Sequence, residues 1–175
     1  VAVTSMVLLS GGHDSANLLR QAVADGHACH ALFVDYGQPA ATRELCAAIS
    51  ICDRFDVQLH RRTLPSLPSS GVQYLARNMV LIGHATALAA SLGCEQVLIG
   101  CHGGDYARFP DCTPQFLKLM DAACHTAYGV RVKAPLRQRS SYIIPGTWSC
   151  YEGGAKPCGV CMSCRQTDQQ AHVDQ

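Results

Sequence analysis

The chain has 175 residues and a mass of 18.7 kDa, the size of one ordinary domain with room for a small appendage. Fourteen Lys and Arg against thirteen Asp and Glu leave a formal charge of +1, which argues against a protein held on nucleic acid by bulk electrostatics. Hydrophobic residues at 48% and charged residues at 15% supply a packed core and exclude general disorder.

No apolar run approaches the roughly 18–20 residues of a membrane span. The opening stretch VAVTSMVLLSGG is too short before its glycines for a secretory signal and lacks a basic leader, so a cytoplasmic protein is expected. In chain order, apolar β-prone runs predict strands at Thr4–Leu9, Ala28–Asp35, Val57–Thr63, Glu95–Gly100 and Val130–Pro135. Between them, helices are predicted at about Asp14–Asp25, Ala40–Phe55, Gln73–Leu92 and Pro114–Tyr128. The stretch Arg77–Leu92 is nearly all apolar or small, as in a helix buried on much of its surface. Continuous apolar strands alternating with helices imply an α/β fold, with a mainly parallel five-stranded sheet covered on both faces. Right-handed crossovers make it doubly wound. After Pro135 the composition shifts to Arg, Ser, Gly, Pro and Cys. That shift divides the chain into an α/β domain over 1–136 and a small C-terminal segment over 137–175. In such a sheet the ligand sits outside the carboxyl ends of the strands.

The first strand runs into Ser10-Gly11-Gly12-His13-Asp14-Ser15. Two glycines let the backbone turn its N–H groups toward an anion, and the following helix offers free amides and the positive end of its dipole. Ser10 and Ser15 add hydroxyl donors, and His13 lies within phosphate reach. Asp14 beside a polyanion calls for a bridging cation, so Mg²⁺ is expected with the phosphates. The plainer alternative is a helix N-cap after a tight turn. No Gly-Lys-Ser/Thr follows, so this is not a Walker loop.

Eleven cysteines make up about 6% of the chain, below the density of small disulfide scaffolds. Seven are scattered; Cys150, Cys158, Cys161 and Cys164 crowd into fifteen residues. Four thiolates at this spacing, with Gly159 relieving the backbone, match one tetrahedral Zn²⁺ with no open position, hence a structural site. Disulfides and an iron–sulfur cluster are the other readings of the same cysteines.

The segment SGGHDS resembles the SGGxDS loop of the PP-loop superfamily of N-type ATP pyrophosphatases. There the loop holds the ATP phosphates while the α-phosphate is attacked. Together with it, WSCYEGGAKPCGVCMSC is similar to the C-terminal signature of the 7-cyano-7-deazaguanine synthase family. Val34-Asp35-Tyr36-Gly37-Gln38, Ala76-Arg77-Asn78, Asp105-Tyr106 and Phe109-Pro110-Asp111-Cys112 resemble further family segments in the expected order. The chain departs from the family in reading His102-Gly103-Gly104 before Asp105-Tyr106. It also departs in leaving only Arg137 to Thr147 before the Trp/Ser-Cys-Tyr segment, too short for a normal helix plus two connections.

The resemblance implies an ATP-dependent carbon–nitrogen ligase that converts 7-carboxy-7-deazaguanine to the nitrile with ammonia, in queuosine-type 7-deazapurine synthesis. It implies ATP contacts over Leu8, Leu9, Ser10, Gly11, Gly12, His13, Asp14, Ser15, Ala16, Asn17 and Leu18, with Asp35 near adenine or ribose. Substrate or phosphate contacts are expected from Tyr36, Gln38, Arg77, Asn78, Asp105, Tyr106 and Asp111. One of the two aspartates Asp105 and Asp111 would read the guanine-like edge. Relatives are commonly dimeric, so a homodimer is expected. Three alternatives stay open: a variant stopping at the amide, a PP-loop tRNA-modifying enzyme, and a non-catalytic nucleotide-binding module.

Overall fold

A computed structural model describes residues 2–70, 73–136 and 142–171. The chain begins with β1 (Thr4–Leu8), α1 (His13–Ala24), β2 (Ala28–Asp35), α2 (Ala41–Phe55) and β3 (Gln58–Thr63). Two short strands paired antiparallel follow, β4 (Ser69–Ser70) and β5 (Gln73–Tyr74), and then α3 (Arg77–Leu92). The remainder is β6 (Gln96–Leu98), α4 (Pro114–Tyr128), β7 (Arg131–Lys133) and α5 (Met162–Ala171), with short 3₁₀ turns at Gly103–Asp105 and Pro110–Cys112.

The main sheet has the order β3-β2-β1-β6-β7, and every pair in it is parallel. Successive side chains of a strand point to opposite faces, and the core divides accordingly. Met6 and Leu8 join Leu32, Val34 and Val97 against Ile82, Ala85 and Ala89 of α3 and Leu117 of α4. Val7 and Leu9 join Ala31, Phe33 and Leu98 against Leu18, Leu19 and Ala22 of α1 and Ala48 and Ile51 of α2. The chain winds outward from β1 to β3, then returns through α3 to place β6 on the other side of β1. The strand order therefore reverses between β1 and β6, and the crevice at their carboxyl ends is where such a sheet takes a ligand. Register ties these ends together: Leu8 lies opposite Leu32 and Val7 opposite Leu98.

The five predicted strands and four predicted helices are present, with ends shifted by a few residues. The largest shift is at α3. Gln73 and Tyr74 pair with Ser70 and Ser69 rather than opening the helix, and Ala76 takes a left-handed conformation (φ 53°) that interrupts helical geometry before Arg77. The helix α5 was not anticipated. Of the short segment Arg137–Thr147, residues 137–141 lie outside the described residues and 142–147 form no helix; the expected boundary between 136 and 137 also falls there. No helix among the described residues is long and apolar enough to cross a membrane.

Candidate nucleotide site and metal centre

Leu9 still donates its N–H to the Leu32 carbonyl at 2.9 Å, and the chain then turns at Gly11 with φ +78°. A Cβ there would collide with the backbone carbonyl of Glu44 and lie 3.0 Å from Ala47 Cβ and Ala48 N. The loop thus packs directly on α2, and glycine is required by both conformation and space. Gly12 leads into α1 in an extended conformation, with no side-chain cap of its own. Gly12 N–H donates to Ser10 Oγ at 3.3 Å, Ser15 Oγ donates to the Gly12 carbonyl at 3.1 Å, and the two serine oxygens are 3.1 Å apart. Gly100, just past β6, packs on the same turn: a Cβ there would lie 3.4 Å from Ser15 N. The first turn of α1 therefore stands at the carboxyl edge, between β1 and β6, with its dipole directed outward.

Of the residues flanking the loop, Leu8, Leu9, Ala16 and Leu18 put their side chains in the core. Asn17 donates from Nδ2 to the His13 carbonyl at 3.0 Å and the Tyr142 carbonyl at 2.9 Å, which ties the C-terminal segment to α1. His13 is buried.

Asp14 faces the loop after β6. His102 Nε2 lies 3.7 Å from Asp14 Oδ2 and 3.6 Å from Asp105 Oδ2. Gly104 N–H donates to His102 Nδ1 at 3.1 Å, and His102 N–H donates to Asp105 Oδ2 at 3.0 Å. The bond at Nδ1 places the neutral ring's proton on Nε2, between the two carboxylates. The His102-Gly103-Gly104 departure thus builds a half-buried contact to the loop's acid, where the sequence showed only an altered motif.

A second cluster lies beyond β2. Asp35 Oδ1 accepts Gly37 N–H at 3.0 Å. Gln38 Oε1 accepts Tyr36 N–H at 2.9 Å, while its Nε2 donates to the Val34 carbonyl at 3.2 Å and Glu44 Oε2 at 2.9 Å. Gln38 is therefore a brace for the turn. Burial raises the Glu44 carboxyl above its ordinary range, opposed by the Gln38 bond and Arg77. Burial likewise raises the Tyr36 phenol, opposed by the Arg77 guanidinium bonded to it.

Arg77 Nε also donates to Asn78 Oδ1 at 3.2 Å. Asp111 Oδ2 accepts Asn78 N–H at 2.9 Å, and Asn78 Nδ2 donates to the Asp111 carbonyl at 3.0 Å. Asp111 thereby caps α3 from a distant loop, a role no local pattern reveals. Asp105 and Tyr106 stand in the loop between β6 and α4, and Tyr106 packs on the core with Tyr36. Replacing Arg77 with Met removes the cation from this cluster and leaves Tyr36 and Asn78 without its bonds. It is expected to cost about 2–4 kcal/mol of stability, read from urea denaturation; a loss below about 0.5 kcal/mol would show that Arg77 does not hold the cluster together.

The four clustered cysteines meet in space. Their sulfurs lie within 4.8 Å of one another, with Cys158 and Cys164 Sγ 4.0 Å apart. Tetrahedral thiolates around zinc, with Zn–S about 2.3 Å, have sulfurs about 3.8 Å apart, so the donor set fits a metal of that kind. Backbone amides already point at the sulfurs: Cys158 N–H to Cys150 Sγ at 3.3 Å, Cys161 N–H to Cys158 Sγ at 3.3 Å, and Glu152 N–H to Cys150 Sγ at 3.4 Å. The Val160 and Cys161 amides lower the Cys158 thiol to about 7, while burial pushes Cys164 to about 12.

The segment leading into Cys150 crosses the glycine turn. Trp148 N–H donates to the Gly11 carbonyl at 2.9 Å, and Ser149 Oγ accepts His13 N–H at 3.0 Å. Arg43 of α2 lies over the Trp148 ring, 5.5 Å from its centroid, and donates to the Gly154 carbonyl at 3.0 Å. Ser149, Trp148, Glu44 and His102 are thus parts of the site that sequence reasoning did not assign. For Ser149 and Trp148 the signal was at hand, in the two residues preceding the first cluster cysteine.

Residues 4–72 and 66–172 match the family described as "Queuosine biosynthesis protein QueC". A 7-cyano-7-deazaguanine synthase 1 from Colwellia psychrerythraea is 32% identical over 198 positions, spanning 92% of this chain and 90% of that protein. A 7-cyano-7-deazaguanine synthase from Thermoplasma acidophilum is 32% identical over 200 positions, spanning 91% of this chain and 84% of that protein. These alignments are longer than the chain's 175 residues, so the relatives carry insertions that this chain lacks. Among solved structures, the U34-tRNA thiolase NcsA from Methanococcus maripaludis, with its [4Fe-4S] cluster, superposes with a TM-score of 0.55 at 12% identity, covering 98% of this chain and 65% of that one. That likeness concerns the fold. Matched over nearly its whole length and sharing about a third of its residues with curated members, the chain belongs to the QueC family.

Proposed function

We propose that the chain is an ATP-dependent ligase that makes 7-cyano-7-deazaguanine from 7-carboxy-7-deazaguanine, ATP and ammonia. The observation that carries this reading is the Gly11–Gly12 turn at the head of α1, set at the reversal point of the parallel sheet. A carboxylate resists ammonia because its leaving group would be oxide. Its oxygen attacks the α-phosphorus of ATP, pyrophosphate departs, and an acyl adenylate forms. Ammonia attacks the acyl carbon, loses a proton, and AMP leaves with the former carboxylate oxygen, giving the amide. The amide oxygen then attacks the α-phosphorus of a second ATP and pyrophosphate departs; loss of two N–H protons and of AMP gives the nitrile. Both activations need the same thing: an α-phosphate held beside the C7 substituent with its charge neutralised.

In this reading Ser10, Gly12, Asp14 and Ser15 take the phosphates, Mg²⁺ arrives with the nucleotide and offsets Asp14, and Asp35 stands toward the ribose. Arg77 and Asn78 order the far wall. The 7-deazapurine is assigned to the side of the crevice bounded by Asp105 and Tyr106. Each of the two aspartates already accepts a backbone N–H on one carboxylate oxygen, Asp105 from His102 and Asp111 from Asn78, which leaves the other oxygen of either one for the base edge. Cys150, Cys158, Cys161 and Cys164 hold one structural Zn²⁺ that fixes the C-terminal segment on the domain.

The test is mass spectrometry of the product after incubation with ATP, Mg²⁺, ammonium and 7-carboxy-7-deazaguanine. The nitrile is expected, with two ATP converted to AMP and pyrophosphate per product. Accumulation of the amide alone would assign the chain to the single-activation variant, and an unchanged substrate would remove the ligase reading.

A further inference from the structure

The loop's first amide is not left to the ligand. His13 N–H, the first donor of α1, is taken by Ser149 Oγ at 3.0 Å, and the position of a Gly12 Cβ lies 3.6 Å from that same oxygen and 3.3 Å from Ser10 Oγ. Ser149 therefore stands inside the glycine turn, beside the serine that the turn itself supplies. A serine hydroxyl that accepts one hydrogen bond keeps one proton to donate. Here that proton belongs to an oxygen already polarised by an amide at the positive end of a helix, and hydrogen bonds in such a chain strengthen one another.

The segment bearing Ser149 is held on both sides. Upstream, Ile144 is sealed in the core with Leu136, and Trp148 N–H binds the Gly11 carbonyl at 2.9 Å. Downstream, the next residue is Cys150, a buried member of the four-sulfur cluster. Trp148 Nε1 donates to the Cys150 carbonyl at 2.9 Å, closing the link between the turn and the cluster. The four-cysteine centre is thus one residue away from a phosphate-site hydroxyl.

We propose that Ser149 is a phosphate-binding residue of the nucleotide site, and that the metal centre keeps it in the glycine turn so that metal occupancy sets nucleotide affinity. The proposal rests on the ATP-dependent reading above and extends it to a residue outside the glycine loop. The ligand class is a nucleoside triphosphate. The donor of His13 is relayed through the Ser149 hydroxyl to a phosphate oxygen, and loosening the cluster withdraws that donor.

The chain has a single tryptophan, Trp148, so its fluorescence reports on nucleotide bound at the adjacent turn. ATP with Mg²⁺ is titrated into the zinc-loaded wild type, Ser149→Ala and Ser149→Thr, with zinc content measured for each. The expected result is one zinc per chain in all three, ATP affinity lowered about tenfold in Ser149→Ala, and recovery toward wild type in Ser149→Thr, which retains the hydroxyl. The titrations are then repeated after chelation, with circular dichroism following the sheet. Wild-type affinity is expected to fall to the Ser149→Ala level, and Ser149→Ala is expected to change little. Equal ATP affinity in zinc-loaded wild type and Ser149→Ala would overturn the proposal. So would a wild-type affinity indifferent to chelation, or loss of the sheet on chelation, since the metal would then support the whole domain. Failure of the wild type to bind ATP would overturn the ligase reading as well; binding and turnover by the wild type with no effect of Ser149→Ala would overturn this inference alone.

Discussion

Gly11→Ala is expected to lower kcat/KM for ATP-dependent turnover by about 10²–10⁴-fold, while the chain still folds. The backbone at this position is left-handed, φ +78°, which costs an L-residue about 1–2 kcal/mol. The larger effect is steric. The added methyl points at the Glu44 carbonyl and lies 3.0 Å from Ala47 Cβ and Ala48 N, atoms of a helix whose own buried face is locked by Ala48 and Ile51. None of these is the end of a flexible side chain, so the turn must move instead. Moving it displaces the Ser10 and Ser15 hydroxyls and the head of α1 from the phosphate. Two charge-assisted hydrogen bonds at about 1.5–3 kcal/mol each amount to that fold-change. Pyrophosphate release measures turnover, and thermal unfolding separates the loss of activity from the loss of stability. Turnover within threefold of wild type would mean that the phosphates do not rest on this turn.

Cys164→Ser is expected to abolish stoichiometric metal binding and to lower the thermal midpoint by about 6–12 °C. Cys164 is buried and lies 4.0 Å from Cys158 Sγ, so a serine oxygen at its place offers a harder and shorter donor to a soft-ligand site. Metal affinity of such sites is folding energy. Losing about 3 kcal/mol of it moves the midpoint by about 2–4 °C per kcal/mol in a chain of this size. The change should loosen the whole C-terminal segment: α5 begins at Met162, between Cys161 and Cys164, and Cys150 anchors the strand of chain that crosses Gly11. Elemental analysis and calorimetry read the two effects. One zinc per chain at unchanged stability in Cys164→Ser would show that the four sulfurs do not form one site.

The alternation of apolar runs with amphipathic stretches was enough to place β1, α1, β2 and α2, because a parallel strand buried on both faces must be continuously apolar and its crossover helix cannot be. The cysteine cluster was legible for a similar reason: ligands that close a small chelate lie near one another in sequence. What escaped was non-local. Asp111 caps α3 from 33 residues away, and Ser149 reaches His13 across 136. The β4–β5 pair rests on a four-residue pairing with no apolar alternation to announce it.

The amino-acid order alone determined the doubly wound sheet, the glycine turn at its switch point and the four-cysteine cluster, since each is dictated by short-range periodicity or spacing. Only the tertiary structure decided that the tail lies over the turn and lends it a hydroxyl, and that His102 stands between Asp14 and Asp105. Those contacts join segments whose separation along the chain carries no periodic signal; burying Leu136 and Ile144 beside α1 and α2 brings Trp148 and Ser149 to the edge of the sheet that carries the Gly11 turn.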